Sequence, residues 1–326
     1  MMRPFPLFFQ GANAVNGVIR VDETVSVDIM VSVSRQELLL KNPAHMYRVF
    51  AAVEGLAMEI QILTAASVTK LNSEHADHVL IGGSHGGVYA GYLAASAGAR
   101  AIILNDAGGG LDGAGFASLP YLDDLGRPGA TVAHDTARIG DGEDMAARGV
   151  ISHVNRAAAA LGCAVGQTAM VCAEAMRAAP VPSGDVPSYE EARFLFSENQ
   201  TEPLVWGVDS ASLLRPEDAG QVVLTASHGA LLGGDAASAI KYDVRACAFN
   251  DAGVGIENIG TSRLPALDQR QIAAVTVDCE TARIGDARSM WQTGIISHAN
   301  ETATALRVVV GETLRTFAQK ARQGTG

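Results

Sequence analysis

Short apolar runs separated by glycine-rich polar stretches fill the middle and end of this chain, and their lengths predict strands alternating with helices. From residue 79 one such run leads into Ser84-His85-Gly86-Gly87. A segment of small residues follows, and a second run ends in Asn105-Asp106-Ala107-Gly108. The pattern predicts strands over 79–81, 100–104 and 130–133. It predicts helices over 86–96, 114–125, 141–161 with a break at Gly149, and 164–178. Upstream, 18–21 and 25–33 alternate apolar and polar residues around Asp22-Glu23, as an extended segment or hairpin does. Over 35–63, Met46, Val49, Phe50, Val53, Leu56, Ala57 and Ile60 recur at helical spacing, interrupted at Asn42-Pro43. Residues 188–197 read as a short helix and 205–208 as a strand.

The same arrangement returns near the C-terminus, with Ser227-His228-Gly229 and Asn250-Asp251-Ala252-Gly253. Residues 105–155 align with 250–300 without a gap, and close to half of the positions are identical. The shared blocks are NDAG at 105 and 250, LP at 119 and 264, TARIGD at 136 and 281, and ISH at 151 and 296. Such similarity indicates a duplication. The expected fold class is α/β: two duplicated halves with mainly parallel sheets flanked by helices, related by approximate twofold symmetry. The expected division is an N-terminal extended and helical segment over 1–64, a first repeat over 65–178, a Pro-rich linker with a short helix over 179–204, and a second repeat over 205–326. Ligands of open α/β sheets gather beyond the carboxyl ends of the strands. SHG, NDAG and TARIGD all fall there, so they should share one rim.

Composition narrows the partners. The net charge of −11 argues against nucleic acid, which needs clustered Lys and Arg. No basic amphipathic stretch points to a membrane surface, and no apolar run reaches about 18 residues. Residues 1–10 hold one Arg and a Pro-broken apolar run, without a signal-peptide core. Cys163, Cys172, Cys247 and Cys279 form no CxxC and read as buried free thiols of a reducing compartment. The expectation is a soluble cytoplasmic protein, with a homodimer as the prior for its assembly.

Gly82-Gly83-Ser84-His85-Gly86 fits G-x-S-x-G between a predicted strand and a predicted helix, and in this it resembles the nucleophile elbow of α/β-hydrolases. The second copy, Thr225-Ala226-Ser227-His228-Gly229, lacks the first glycine. A strand ending in Ser-His-Gly, followed by a strand ending near a small residue and glycine, resembles the caspase-type cysteine peptidases. Both NDAG blocks lack the nucleophilic cysteine, so this resemblance implies a rim position for His85 and His228 and no peptidase activity.

These residues predict a small-molecule hydrolase acting on an amide, ester or cyclic analogue. His85 serves as acid or base, Asp106 orients it, and Ser84 is a nucleophile or hydroxyl donor. His228 and Asp251 repeat the set. Arg138 and Arg283 anchor a substrate carboxylate through their forks. Gly86, Gly108, Asn105, Asn250 and Ser227 complete the expected binding residues. Asp141 and Asp286 suit helix N-caps, and Ser152 and Ser297 suit caps of the helices after ISH. An alternative metal set, His85, Asp106 and Asp141, lacks HExxH or His-x-His spacing, so no metal is assigned. No complete GxGxxG or P-loop occurs, and the cofactor stays open. Two further readings stay open too: an isomerase or lyase using His/Asp pairs from both halves on a small carboxylate, and a non-catalytic small-anion-binding module.

Overall fold

The computed structural model describes residues 59–197 and 203–324, together with the backbone of four short strands before them. Those are β1 (Ala14–Val15), β2 (Val18–Ile19), β3 (Ile29–Met30) and β4 (Val33–Ser34), with β1 paired to β4 and β2 to β3, both antiparallel. The antiparallel pairing of β2 with β3 agrees with the extended segment or hairpin expected there, and the residues around Asp22-Glu23 lie outside the described ones. The helical pattern expected over 35–63 lies outside the described residues as far as residue 58. Its last residues belong instead to a strand.

Gln61–Gly326 forms one compact unit. It is α/β, with two mainly parallel mixed sheets flanked by helices. The first sheet runs in the order β5 (Ile62–Ala65), β6 (Val79–His85), β7 (Ala101–Asn105), β8 (Gly129–Val132) and β9 (Ile151–Val154). The first four are parallel and β9 is antiparallel. The second runs β10 (Arg193–Leu195), β11 (Val205–Val208), β12 (Val222–His228), β13 (Ala246–Asn250), β14 (Ala273–Val277) and β15 (Ile296–Ala299), with antiparallel strands at both edges.

The central strands are apolar throughout because both faces are covered. In the first half, Leu80, Ile102 and Leu104 meet Ala90, Ala94 and Ala95 of α1 (Val88–Ser96) and Leu122 of α2 (Ser118–Asp124). α3 (Gly142–Arg148) and α5 (Ala169–Met176) pack on β6. The second half has α6 (Arg263–Asp268), α7 (Ala287–Thr293), α8 (Glu301–Ala305) and α9 (Leu314–Gln323), after the first half's α4 (Arg156–Ala160). Among the described residues it has no counterpart of α1. Between β12 and β13 the chain makes only a short 3-10 turn at Ala236–Ser238, because Gly233 and Gly234 both adopt positive φ where a helix would have to start.

Three expectations change. The helix expected over 141–161 does break at Gly149, which caps α3, but the residues beyond do not resume it: ISH lies in β9, and in β15 of the second half, each an antiparallel edge strand. Residues 193–195, read as helix, form β10. Ser152 and Ser297 do not cap the following helices. Asn155 and Asn300 do. The Asn300 carboxamide accepts the N–H groups of Ala274 and Ala303, both at 2.9 Å, and donates to the Ile272 carbonyl at 2.9 Å. It ties a strand, a helix and a turn with one buried side chain. Asn300→Ala leaves those groups unpaired and should cost about 2 kcal/mol, measured by urea denaturation. A loss below about 0.5 kcal/mol would show that water replaces the amide.

Asp141 and Asp286 cap α3 and α7 as expected, accepting from the Asp144 and Ser289 N–H groups at 3.0 and 2.9 Å. All four cysteines are free and buried. Among the described residues no helix is long and apolar enough to cross a membrane.

Candidate functional site in the cleft between the halves

Strand order is sequential in both sheets, so neither has the reversal that opens a crevice in a doubly wound fold. The crevice arises where the carboxyl-end rims of the two sheets face one another. Ala107, Ala114 and Ile139 pack there against Ala230, Ala252 and Ile284. The Leu111 N–H donates to the Cys279 carbonyl at 2.8 Å, and the Ile256 N–H donates to the His134 carbonyl at 2.9 Å. The second link joins the residues that align with the first.

NDAG builds this seam. A Cβ on Gly108 would stand 2.7 Å from the Gly253 Cα, so the two glycines let the backbones touch. Asn105 and Asn250 are fully buried, and each accepts a backbone N–H two residues on at 2.9 Å. Asp106 does not orient His85. Its carboxylate accepts from His134 Nδ1 at 3.0 Å and from the His134 and Gly108 N–H groups at 2.9 and 3.1 Å. That bond and charge raise the His134 pKa. Asp251 accepts from the Gly253 and Cys279 N–H groups at 3.0 Å, and burial raises its pKa.

The TARIGD arginines also belong to the scaffold. Arg138 pairs with Glu257 at 2.7 Å and Arg283 with Asp112 at 2.7 Å, each reaching into the opposite half. Gly86 packs on the Gly115 carbonyl and donates to the Asn105 carbonyl at 2.7 Å. His153 stacks on Phe116 at 4.1 Å.

Four of the expected residues do meet. Ser84, His85, Ser227 and His228 line one cleft of about 410 Å³ between the halves. Ser84 is not at an elbow. β6 stays extended through His85, and Ser84 is not among the residues with the left-handed backbone that a nucleophile elbow strains. Nor does it cap α1. Its oxygen accepts the Val68 N–H at 3.1 Å, as Ser227 accepts that of Ala211 at 2.9 Å. Asp106, the carboxylate expected to complete a triad, is engaged by His134.

His85 Nδ1 accepts the Gly87 N–H at 3.1 Å, and His228 Nδ1 accepts that of Ala230 at 3.3 Å. An N–H can only point at a ring nitrogen that carries no proton, so the neutral rings hold theirs on Nε2. Burial pushes the His85 pKa down to about 4. Burial, then Arg263 and His85, hold that of His228 well below its usual value. Each ring leans on the opposite half: a Cβ on Gly285 would lie 3.4 Å from His85 Cε1, and one on Gly140 3.5 Å from His228 Cε1. Both TARIGD glycines adopt positive φ, 85° at Gly140 and 80° at Gly285, which calls for glycine beside the histidine rings.

Glu191, Arg263, Lys70 and Lys241 also line the cleft and carry no repeat signature. Glu191 enters from the linker. Its backbone is set by Tyr189, whose ring packs on Tyr89 and Tyr92 at 6.1 and 6.4 Å, and by the Ala192 N–H, which donates to Asp209 at 2.8 Å. The Ser212 hydroxyl donates to the Glu191 carboxylate at 3.4 Å. Burial, then the Asp209 carboxylate, push the Glu191 pKa up to about 7. Arg263, Lys70 and Lys241 supply positive charge. The sequence offered one overlooked signal: Ser67-Val68-Thr69 and Ser210-Ala211-Ser212 are aligned turns that both line the cleft.

For metals, His85, Asp106 and Asp141 form no ligand group among the described residues. Asp251, Asp278 and Cys279 bring ligand atoms within 4.8 Å of one another, but outside the cleft. Burial, then Asp251, push the Cys279 thiol up to about 12.

The chain matches no protein-family model, no curated protein and no solved structure.

Proposed function

We propose that this protein is a hydrolase of small carbonyl compounds, an amide, ester or cyclic analogue, working in the cleft between its halves. One observation carries the reading: a carboxyl group with a pKa of about 7, Glu191, lines the same small cleft as two neutral histidines that present Nε2–H groups. A base near neutrality suits proton abstraction from water. Fixed N–H donors suit the oxygen on which negative charge gathers. In this mechanism Glu191 takes a proton as water oxygen attacks the carbonyl carbon. His85 and His228 receive the developing oxyanion, with Ser84 and Ser227 as hydroxyl donors beside them. Glu191 then returns the proton to the leaving amine or alkoxide as its bond to carbon breaks.

Hydrolysis is favoured over isomerisation because a two-base reaction needs a proton acceptor from each half. Glu191 comes from the linker alone, and both histidines hold their donor form. We read the two halves as products of one duplication with approximate twofold symmetry. The paired contacts Arg138–Glu257 and Arg283–Asp112, and the mutual Gly108–Gly253 approach, support that reading.

The test is a panel of small esters, amides and cyclic imides incubated in ¹⁸O-labelled water, with products read by mass spectrometry. Label should enter one product carboxyl group. His85→Ala should lower kcat about 10²–10³-fold at unchanged fold, and His85→Gln, which keeps an N–H donor, should recover part of the loss. Ligand binding without turnover across the panel would favour the binding-module reading, and an unlabelled product would favour isomerisation.

A further inference from the structure

Among the described residues, Arg263 is a buried cation with no carboxylate partner. It stands at the first position of α6, where the aligned first-half residue is Ser118. Ser118 is covered by α1, since a Cβ on Gly91 would come within 2.6 Å of its Cβ. Among the described residues the second half has no such helix, and the guanidinium takes the room, lying 4.8 Å over the Phe249 ring. It is 4% exposed. Nε donates to the Ala230 carbonyl at 2.9 Å and Nη1 to the Ala239 carbonyl at 2.7 Å. Among the described residues no carboxylate pairs with it, and no partner takes its Nη2. Two carbonyls orient a guanidinium but do not neutralise it, and a buried charge without a counter-charge is costly. The side chain nevertheless lines the cleft with Ser227, Ser238 and His228.

We infer that Arg263 is the anion anchor of this cleft and that its ligand is a small molecule bearing a carboxylate, held by the free edge of the guanidinium beside the His228 Nε2–H. The expected anchors Arg138 and Arg283 spend their forks on Glu257 and Asp112, whereas Arg263 spends its on no acid. A carboxylate is favoured over phosphate because one planar group with one charge matches the free edge of the guanidinium, whereas phosphate concentrates up to two charges on one tetrahedral group in a cleft that also carries the acidic side chains Glu191 and Asp235. The inference deepens the hydrolase reading by naming its substrate class, but binding and turnover are measured separately, so either fails without the other.

The experiment is isothermal titration of the full-length protein with succinate, its uncharged diamide and inorganic phosphate, followed by a crystal soaked with succinate. Wild-type protein should bind succinate at least about 30-fold more tightly than the diamide, and more tightly than phosphate. Arg263→Met should remove that preference, and Arg263→Lys, which keeps the charge without the fork, should retain part of it. The wild-type crystal stands independently of how the variants fold: a carboxylate should sit within hydrogen-bond distance of Arg263 Nη2. A carboxylate on Lys70 or Lys241 alone would overturn the assignment. So would succinate binding no better than the diamide. Tighter phosphate binding at Arg263 would overturn the ligand class. Binding at Arg263 with no hydrolysis of carboxylate-bearing substrates would leave the anchor and remove the enzyme.

Discussion

Glu191→Gln should lower kcat by about 10²–10⁴-fold on any substrate that the wild-type enzyme hydrolyses. Glutamine keeps the size and the bond from Ser212 but cannot take a proton from water. The pH profile separates this from a structural defect. With a pKa of about 7, Glu191 is a competent base above neutrality, so the wild-type rate should rise with pH through about 7 and level above it. In the variant that limb should vanish. Stability should move the opposite way. The folded-state pKa lies above the ordinary carboxyl value, so ionising the buried group opposes folding. The stability associated with the protonated acid is full below about 4.5 and is lost as pH rises through about 7. Glutamine never ionises, so the variant should be more stable than wild type at pH 8, on the order of 2 kcal/mol after allowing for solvent screening. The two should converge below pH 4.5. A residue that stabilises when removed and inactivates when removed is one kept for its chemistry. A rate limb near pH 7 that survives in the variant, with less than tenfold loss, would falsify the assignment.

Asp218→Ala should be the most damaging single change to the fold outside the cleft, costing about 3–5 kcal/mol in chemical denaturation. Asp218 is wholly buried. Its two oxygens take the fork of Arg193, one from Nη1 at 2.9 Å, and it accepts the Arg215 N–H at 2.8 Å. Arg193 itself lies 4.0 Å over the Trp206 ring. Removing the acid strands a guanidinium between β10 and β11, where water reaches it poorly. The paired replacement Arg193→Met with Asp218→Met should cost much less than the single change, because the penalty comes from the orphaned charge and not from the loss of the pair. A double variant as unstable as Asp218→Ala would show that the hydrogen bond to Arg215, not the ion pair, carries the effect.

The strands that residues 79–81, 100–104, 130–133 and 205–208 predict are present because a parallel strand buried on both faces is one apolar run, and composition alone marks it. β9, β10 and β15 are edge strands that gain their pairing from one neighbour. Ile151-Ser152-His153-Val154 after a glycine reads equally as a helix start, and Ser188 to Ser197 holds two adjacent glutamates that suit a helix. Only the partners β8, β11 and β14 decide otherwise.

The candidate site divides along a different line. Repetition within the chain identified what both halves need in order to meet. Gly108 must touch Gly253, Asn105 and Asn250 must hold their turns, and Arg138 and Arg283 must cross to the opposite half. The same residue types make these contacts in both halves: Gly108 meets Gly253, and Arg138 and Arg283 reach Glu257 and Asp112, which align with one another. Ser84, His85, Ser227 and His228 were legible because they share that constraint and also face the cleft. Glu191 and Arg263 were not legible. One lies in the linker, and the other replaces a serine, so neither is repeated. What the sequence by itself determined was the central apolar strands, the repeated blocks at their carboxyl ends and the place of the two histidines among them. What only the tertiary structure decided was which further side chains line the cleft. A carboxyl pKa near neutrality and an unpaired buried guanidinium are products of desolvation, which depends on what folds over a side chain and has no signature in the residue itself.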